Sequence, residues 1–253
     1  TTTLGRGGSD YSAAIYAAAL DAKELQIWTD VSGMFTSNPS IVKQAFAIPH
    51  ISYHEAMELS HFGAKVIYPP TIQPVLQKEI PIVIKNTFQP EDIGTRITKD
   101  THTNNQPVKG ISYIENITLI TLGGTGMVGM PGFSKRLFEI LSLHEINITL
   151  ITQASSELSI CIGVENKDAY RAQKLIDSTF EYEIHQQKVR PVILEQDLCI
   201  IALVGDNMKN HQGLSGKMFS SLGKTMSIFA QLLKEPQKKT FRQSLIKKMR
   251  KKH

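Results

Sequence analysis

Near its start the chain reads Gly5-Arg6-Gly7-Gly8-Ser9-Asp10, and an Ala-rich helical run, Tyr11 to Ala22, follows directly. Residues of these types at this spacing can hold an anion. Glycines let backbone N–H groups crowd a carboxylate or phosphate, the helix turns its positive end to the same point, and arginine grips a carboxylate bidentately. Ser9 or Asp10 is placed to cap the helix. Gly-Arg-Gly-Gly between a strand and a helix also serves as a plain tight turn, so its meaning depends on its surroundings.

Those surroundings are informative. A β-rich stretch, Leu25-Gln26-Ile27-Trp28, runs into Thr29-Asp30-Val31-Ser32-Gly33-Met34-Phe35-Thr36-Ser37-Asn38-Pro39. Then come Glu55-Ala56-Met57-Glu58-Leu59-Ser60-His61-Phe62-Gly63-Ala64-Lys65-Val66 and Ile82-Val83-Ile84-Lys85-Asn86-Thr87. In order and spacing, from Gly5 to Ile97, these blocks resemble the C-terminal half of an aspartate kinase, of the three-layer αβα amino-acid kinase fold.

The resemblance implies that Arg6 holds a carboxylate of L-aspartate, with Ser9 and Asp10 shaping that pocket. It further implies that Thr29, Asp30 and Phe35 lie along ATP, and that Lys85 at a strand end neutralises its phosphates. Such roles suit phosphoryl transfer to a carboxylate, which brings two anions together: positioning and cationic stabilisation do most of the work, with Mg²⁺ on the phosphates and no nucleophilic side chain. The chain departs from the family pattern at Ser32 (usually Asp or Asn), Phe35 (often Tyr), Asn38 (often Asp) and Ser40 (often Arg), the last taking a cation from the ATP phosphates. The family's Lys-Phe-Gly-Gly-Thr-Ser phosphate loop has no counterpart in the sequence, so the chain on its own is expected not to catalyse.

Composition narrows the rest. With 253 residues and 41% hydrophobic content, the chain can bury one large core or two modest ones. No apolar run approaches the ~18 residues of a membrane span and no signal peptide is visible. Cys161 and Cys199 sit in apolar strand-like contexts and read as reduced core residues, which suits the cytoplasm. His50 and His54 are four apart, but Ser52 and Glu55 make that segment a capping box opening a helix, and no metal site is expected.

A polar stretch, Lys99 to Pro107, reads as a linker. Beyond it lies an internal repeat. Ile117 to Gly124 resembles Leu198 to Gly205, and Gly132-Phe133-Ser134-Lys135-Arg136-Leu137-Phe138 resembles Gly213-Leu214-Ser215-Gly216-Lys217-Met218-Phe219, both at an offset of 81. Each unit reads strand, glycine-rich loop, amphipathic helix, strand: Ile117 to Leu122, Gly123 to Gly132, Phe133 to Leu143, Asn147 to Thr152. That order suits ferredoxin-like βαββαβ modules and resembles the paired ACT regulatory domains of aspartate kinases, where small amino acids bind between a loop and a helix start. The segment Asn147 to Glu157 looks most like the threonine-sensitive bifunctional aspartate kinase–homoserine dehydrogenases. The resemblance implies that Gln153 contacts the effector, threonine or lysine, with Asn147 and Ile148 offering backbone groups, and that ACT units pair into a homo-oligomer.

At the same offset the second unit should continue past Lys224, yet residues 225–253 carry nine Lys or Arg against Glu235 alone. The formal net charge of +5 is therefore a tail of +8 on a body of −3. Restoring one A at the Lys224 codon gives VNIRAIAQGASE, which aligns with Ile146 to Glu157 and places its Gln 81 residues after Gln153; the tail is expected to be out-of-frame peptide. Two other readings compete with a kinase segment: an amino-acid-sensing ACT module without catalysis, and a tail that anchors nucleic acid or an anionic membrane. Pro236 breaks any long amphipathic helix there and the body is acidic, so neither specific nucleic acid nor membrane is expected as partner. The expected organisation is 1–98 kinase half, 99–109 linker, 110–188 first ACT-like unit, 189–224 truncated second unit, and 225–253 tail.

Overall fold

The computed structural model describes residues 7–61, 66–99, 106–153, 158–208 and 211–224, with backbone alone for 229–232 and 242–247. Arg6 lies outside the described residues, as does most of the tail. The chain forms two compact units, one from Thr1–Tyr113 and Ile201–Thr225, the other chiefly from Ile114–Ile200.

The first unit opens with α1 (Gly8–Ala19). Gly7 precedes it at φ 73, and a Cβ there would lie 2.5 Å from that of Tyr68, so both backbone and packing demand glycine. No side chain caps this helix, which corrects the expectation for Ser9 and Asp10: they already lie inside the first turn, past the position from which a side chain reaches back to the N2 or N3 amide. The helix also ends three residues before Ala22. Asp21 takes φ 48, Ala22 N–H bonds to Ala17 O at 3.0 Å and Asp21 N–H to Ala18 O at 3.4 Å, a Schellman turn built without glycine.

A four-stranded sheet follows, made of β1 (Leu25–Thr29), β2 (His50–Ser52), β3 (Ile82–Asn86) and β4 (Thr95–Thr98) in the order β1-β3-β4-β2. β1 and β3 run parallel, with Trp28 opposite Lys85 and Thr29 opposite Asn86. Their alternation sends Leu25, Ile27, Ile82 and Ile84 into a core shared with Ala14 and Ala17 of α1, and leaves Gln26 and Trp28 on the outer face. Helix α2 (Tyr53–His61) opens with the expected capping box: Ser52 Oγ accepts Glu55 N–H and Glu55 Oε2 accepts Ser52 N–H, both at 3.0 Å. The short α3 (Ile72–Leu76) buries Ile72 and Val75 in the same core.

The second unit contains β5 (Gly110–Gly123), α4 (Phe133–Leu143), β6 (Leu150–Gln153), β7 (Ser159–Glu165), α5 (Ala169–Thr179), α6 (Glu181–His185) and β8 (Arg190–Val204), the two long strands beginning or ending in the first unit. Element order βαββαβ and sheet order β6-β7-β5-β8 are those of a ferredoxin-like module. α4 occupies the expected residues because Phe133, Leu137 and Leu141, four apart, all face the core. β5 starts seven residues earlier than its apolar run, and β6 starts three later, since Glu145 (φ 55) and the Ile146 N–H to Leu141 O bond spend the intervening chain on another glycine-free Schellman turn.

α7 (Leu214–Lys224) begins and ends 81 residues after α4, and Gly213 (φ 82) repeats the left-handed conformation of Gly132 (φ 99), so the repeat is present in the backbone. Two further strands, β9 (Phe229–Leu232) and β10 (Arg242–Lys247), extend the sheet order beyond β8 as β10-β9. The compact units divide at Tyr113 and Ile200. Within the first unit, Lys109 N–H bonds Val204 O at 2.7 Å and Asp206 N–H bonds Glu55 Oε1 at 2.8 Å. Neither cysteine is in a disulfide; Cys161 is buried as expected, Cys199 only half-buried. No helix among the described residues is long and apolar enough to cross a membrane.

Candidate functional site

β1 and β3 end side by side, the edge at which open α/β sheets present ligands. Thr29 O accepts Thr87 N–H at 2.8 Å, fixing the two ends together, and Thr29 Oγ1 donates to the exposed Asp30 carboxylate at 3.2 Å. Past them the Ser32 hydroxyl donates to Asp92 and accepts Asn86 Nδ2–H at 2.9 Å. Lys85 donates to Asp92 O at 2.6 Å and stands 5.8 Å from the centroid of the Trp28 ring, its register partner. Thr29, Asp30 and Lys85 are thus brought to one strand edge.

Phe35 belongs to a neighbouring cavity of about 230 Å³. Its walls are apolar (Val31, Phe35, Leu59, Val66), with Asn38 and Tyr113 supplying polar groups. Thr95 holds the loop that carries Phe35: its buried hydroxyl accepts Met34 N–H at 2.8 Å and donates to Ile48 O at 2.7 Å. Asn38 Nδ2 donates to Tyr113 Oη at 3.1 Å, while Asn38 Oδ1 accepts from Ser40 N–H and Oγ–H at 2.9 and 2.7 Å. Two of the family departures, Asn38 and Ser40, therefore bond to each other. An aromatic-walled slot with few polar groups suits a planar base. Among the described residues no group of three His, Cys, Asp or Glu could hold a metal ion, and Asp30 is the exposed carboxylate at the strand end.

Ser9 stands exposed in the first turn of α1, its hydroxyl 3.5 Å from Asp10 Oδ1. Asp10 carries the negative charge that the N-terminal end of a helix favours.

In the second unit a cavity of about 340 Å³ opens where the loop after β5 meets the start of α4. Met127, residues 129–134, Gln153 and Ile160 line it, and no side chain caps α4, leaving first-turn amides for a carboxylate. Gln153 is therefore at the cavity. Asn147 and Ile148 are not among its lining residues; Asn147 is exposed and Ile148 packs on the unit's core.

Several contributors escaped the sequence reading. Tyr113 reaches the Phe35 cavity from the first residues of β5, and Arg136 pairs with Glu183, 47 positions away. Spacing carries no signal for either. Glu55 was legible only as a capping residue, not as the acceptor for Asp206.

The amino acid kinase family matches residues 1–86 and the ACT domain matches residues 120–180. A bifunctional aspartokinase/homoserine dehydrogenase of Haemophilus influenzae is 45% identical over 219 residues, covering 87% of this chain and 27% of that protein. A chloroplastic relative from Arabidopsis thaliana is 38% identical over 228 residues, 88% of this chain and 25% of its own length. The chain thus spans about a quarter of these relatives. Among solved structures, Clostridium acetobutylicum aspartate kinase superposes with a TM-score of 0.86 at 28% identity, over 97% of this chain and 56% of that one. E. coli aspartokinase III in complex with aspartate and ADP gives 0.79 at 31%, over 97% and 54%. By sequence and by fold, the chain is similar to aspartate kinases, with a segment that matches the amino acid kinase family preceding one that matches an ACT domain.

Proposed function

We propose that the chain supplies the C-terminal half of an aspartate kinase together with its amino-acid-sensing portion, the parent reaction being ATP plus L-aspartate giving 4-phospho-L-aspartate. The carrying observation is the joined ends of β1 and β3 beside the Phe35 cavity, which set Thr29, Asp30 and Lys85 next to an aromatic slot. The E. coli aspartokinase III structure with aspartate and ADP supports this reading. ATP supplies the phosphoryl group, Mg²⁺ screens its charge, and a carboxylate oxygen of aspartate attacks as the bond to ADP breaks.

This chain's own residues position the reactants. Gly7 and the first turn of α1, with Ser9 and Arg6, take the aspartate carboxylate; Phe35 packs on the base, Asn38 and Tyr113 meet its polar edge, and Thr29 and Asp30 receive the ribose and phosphate end. Lys85 reaches phosphate by exchanging the Asp92 carbonyl for it, a trade of a neutral acceptor for a charged one. Feedback by a small amino acid, threonine first, occurs at the Gln153 cavity, and ACT pairing makes a homo-oligomer.

Trp28 is the only tryptophan and sits on the strand that delivers Thr29. Titration with MgADP is expected to give a saturable change in its fluorescence, weakened by Phe35→Ala. A flat response in the folded chain would sink the nucleotide assignment. Calorimetry with threonine, lysine and methionine tests the second cavity, and no heat from any of them would count against sensing.

A further inference from the structure

Both walls of the Gln153 cavity converge on one residue behind it. The first wall is the start of α4. Phe133, which lines the cavity, stacks on Phe180 with ring centroids 5.4 Å apart and planes 3° from parallel. The guanidinium of Arg136, one turn along α4, lies 4.5 Å from the opposite partner, the Phe180 ring, and donates to Thr179 O at the end of α5. That guanidinium is held by a two-toothed pairing with the Glu183 carboxylate, Nη1 to Oε1 and Nη2 to Oε2, the latter at 3.2 Å. Glu183 is mostly shielded, its side chain 17% exposed, while the Arg136 side chain, 40% exposed, still meets water.

The second wall is the loop after β5. Gly126 N–H donates to Lys188 O at 2.9 Å, and a Cβ on Gly124 would lie 2.2 Å from that same oxygen, so loop and turn meet backbone against backbone. Lys188 is in turn placed by Glu183, whose carbonyl accepts Lys188 N–H at 2.9 Å and Val189 N–H at 3.2 Å in the turn that closes α6 at Gln187 (φ 56). Side chain and backbone of Glu183 therefore act on opposite sides of one cavity. At α7 in the second repeat Lys217 stands 81 residues after Arg136, and an ammonium cannot reproduce the planar fork.

We propose that Glu183 is a positioning residue for the amino-acid cavity, holding α4 through Arg136 and the Met127 loop through Lys188, so that ligand affinity is set from α6, outside the cavity itself. This rests on the reading of that cavity as an effector site. Arg136 beside it keeps the Glu183 carboxyl below the usual carboxylate range, so the pair is fully charged at neutral pH.

The test compares the full chain with Glu183→Gln and Arg136→Lys by amide hydrogen exchange and by threonine calorimetry. Glu183→Gln keeps shape but loses charge and one tooth of the fork. A cooperative melt is expected, with exchange at residues 132–134 faster by about tenfold, exchange in β7 unchanged, and threonine affinity lower by a similar factor. Arg136→Lys should reproduce the loss at α4; in both variants the backbone carbonyl of residue 183 still places Lys188, so exchange at Gly126 should change less than at residues 132–134. Arg136→Lys also serves if Glu183→Gln fails to melt cooperatively, and unchanged exchange at residues 132–134 in both variants overturns the positioning role. Faster exchange with no heat from threonine, lysine or methionine in the unaltered chain overturns the effector reading instead.

Discussion

Glu55 carries the sharpest stability prediction. Its side chain is 2% exposed, and its two oxygens accept the Ser52 amide at 3.0 Å and the Asp206 amide at 2.8 Å. Hydrogen bonds to a charged group contribute about 1.5–3 kcal/mol each, and a buried amide left without a partner costs a further ~1–3 kcal/mol. Glu55→Ala removes both bonds and strands both donors, so an unfolding cost of about 3–5 kcal/mol is expected for the first unit. Glu55→Gln keeps one acceptor but turns its NH₂ toward a second N–H, for about 2–3 kcal/mol. Ser52→Ala loses only the reciprocal cap, about 1 kcal/mol. Urea unfolding followed by Trp28 fluorescence reads this unit, and the slope should stay constant while the midpoint falls. Release of the Asp206 amide should also speed proteolysis between Asp206 and α7 in Glu55→Gln. A Glu55→Ala protein that loses less than about 1 kcal/mol at constant slope would refute the argument, because a buried carboxylate that holds two amides cannot be that dispensable.

Other outcomes follow from single contacts. Tyr53 is buried, donates to Ile80 O at 2.6 Å, and its phenol is pushed up to about 12 by burial. Its neutral form is favoured by folding, so that stability is fully present below pH ~10, the unfolded value, and drains as pH rises toward 12; alkaline melts of Tyr53→Phe should lack this fall. Glu183 is the opposite case, depressed first by its bond to Arg136: its contribution is present above the unfolded carboxyl value of ~4.3 and lost as pH drops through the lower folded value, so acid melts of Glu183→Gln should be flatter below pH 4. Glu145 ends α4 at φ 55, and Glu145→Gly should stabilise the second unit by about 0.5–1 kcal/mol in thermal melts, since glycine relieves the left-handed strain.

Much of the architecture was readable because it rests on local patterns. The Phe133, Leu137, Leu141 stripe defined α4 to the residue, and Ser52 with Glu55 announced α2. Boundaries failed where the chain used an uncommon device: Asp21 and Glu145 adopt left-handed conformations without being glycine, so no sequence mark signalled the end of α1 or the delay of β6. Ser9 and Asp10 are good cap types in the wrong place, since Gly7 makes the turn one residue before the helix. For the sites, Gln153 came from the family resemblance and does line the cavity, whereas the side-chain geometry of Lys85 depended on Asp92 and Trp28, which only the β1–β3 register brings to it. Tyr113 and Glu183 act through contacts 47 or more positions away, and one sequence holds no trace of such pairings.

The most direct test of the central claim replaces the matching stretch of the Haemophilus influenzae relative with residues 1–224 of this chain and measures ATP-dependent phosphorylation of aspartate. Turnover that requires Phe35 and is inhibited by threonine is the expected result. A soluble, cooperatively folded chimera with no aspartate-dependent turnover, beside an active parent enzyme, would contradict the assignment of this segment to the kinase site.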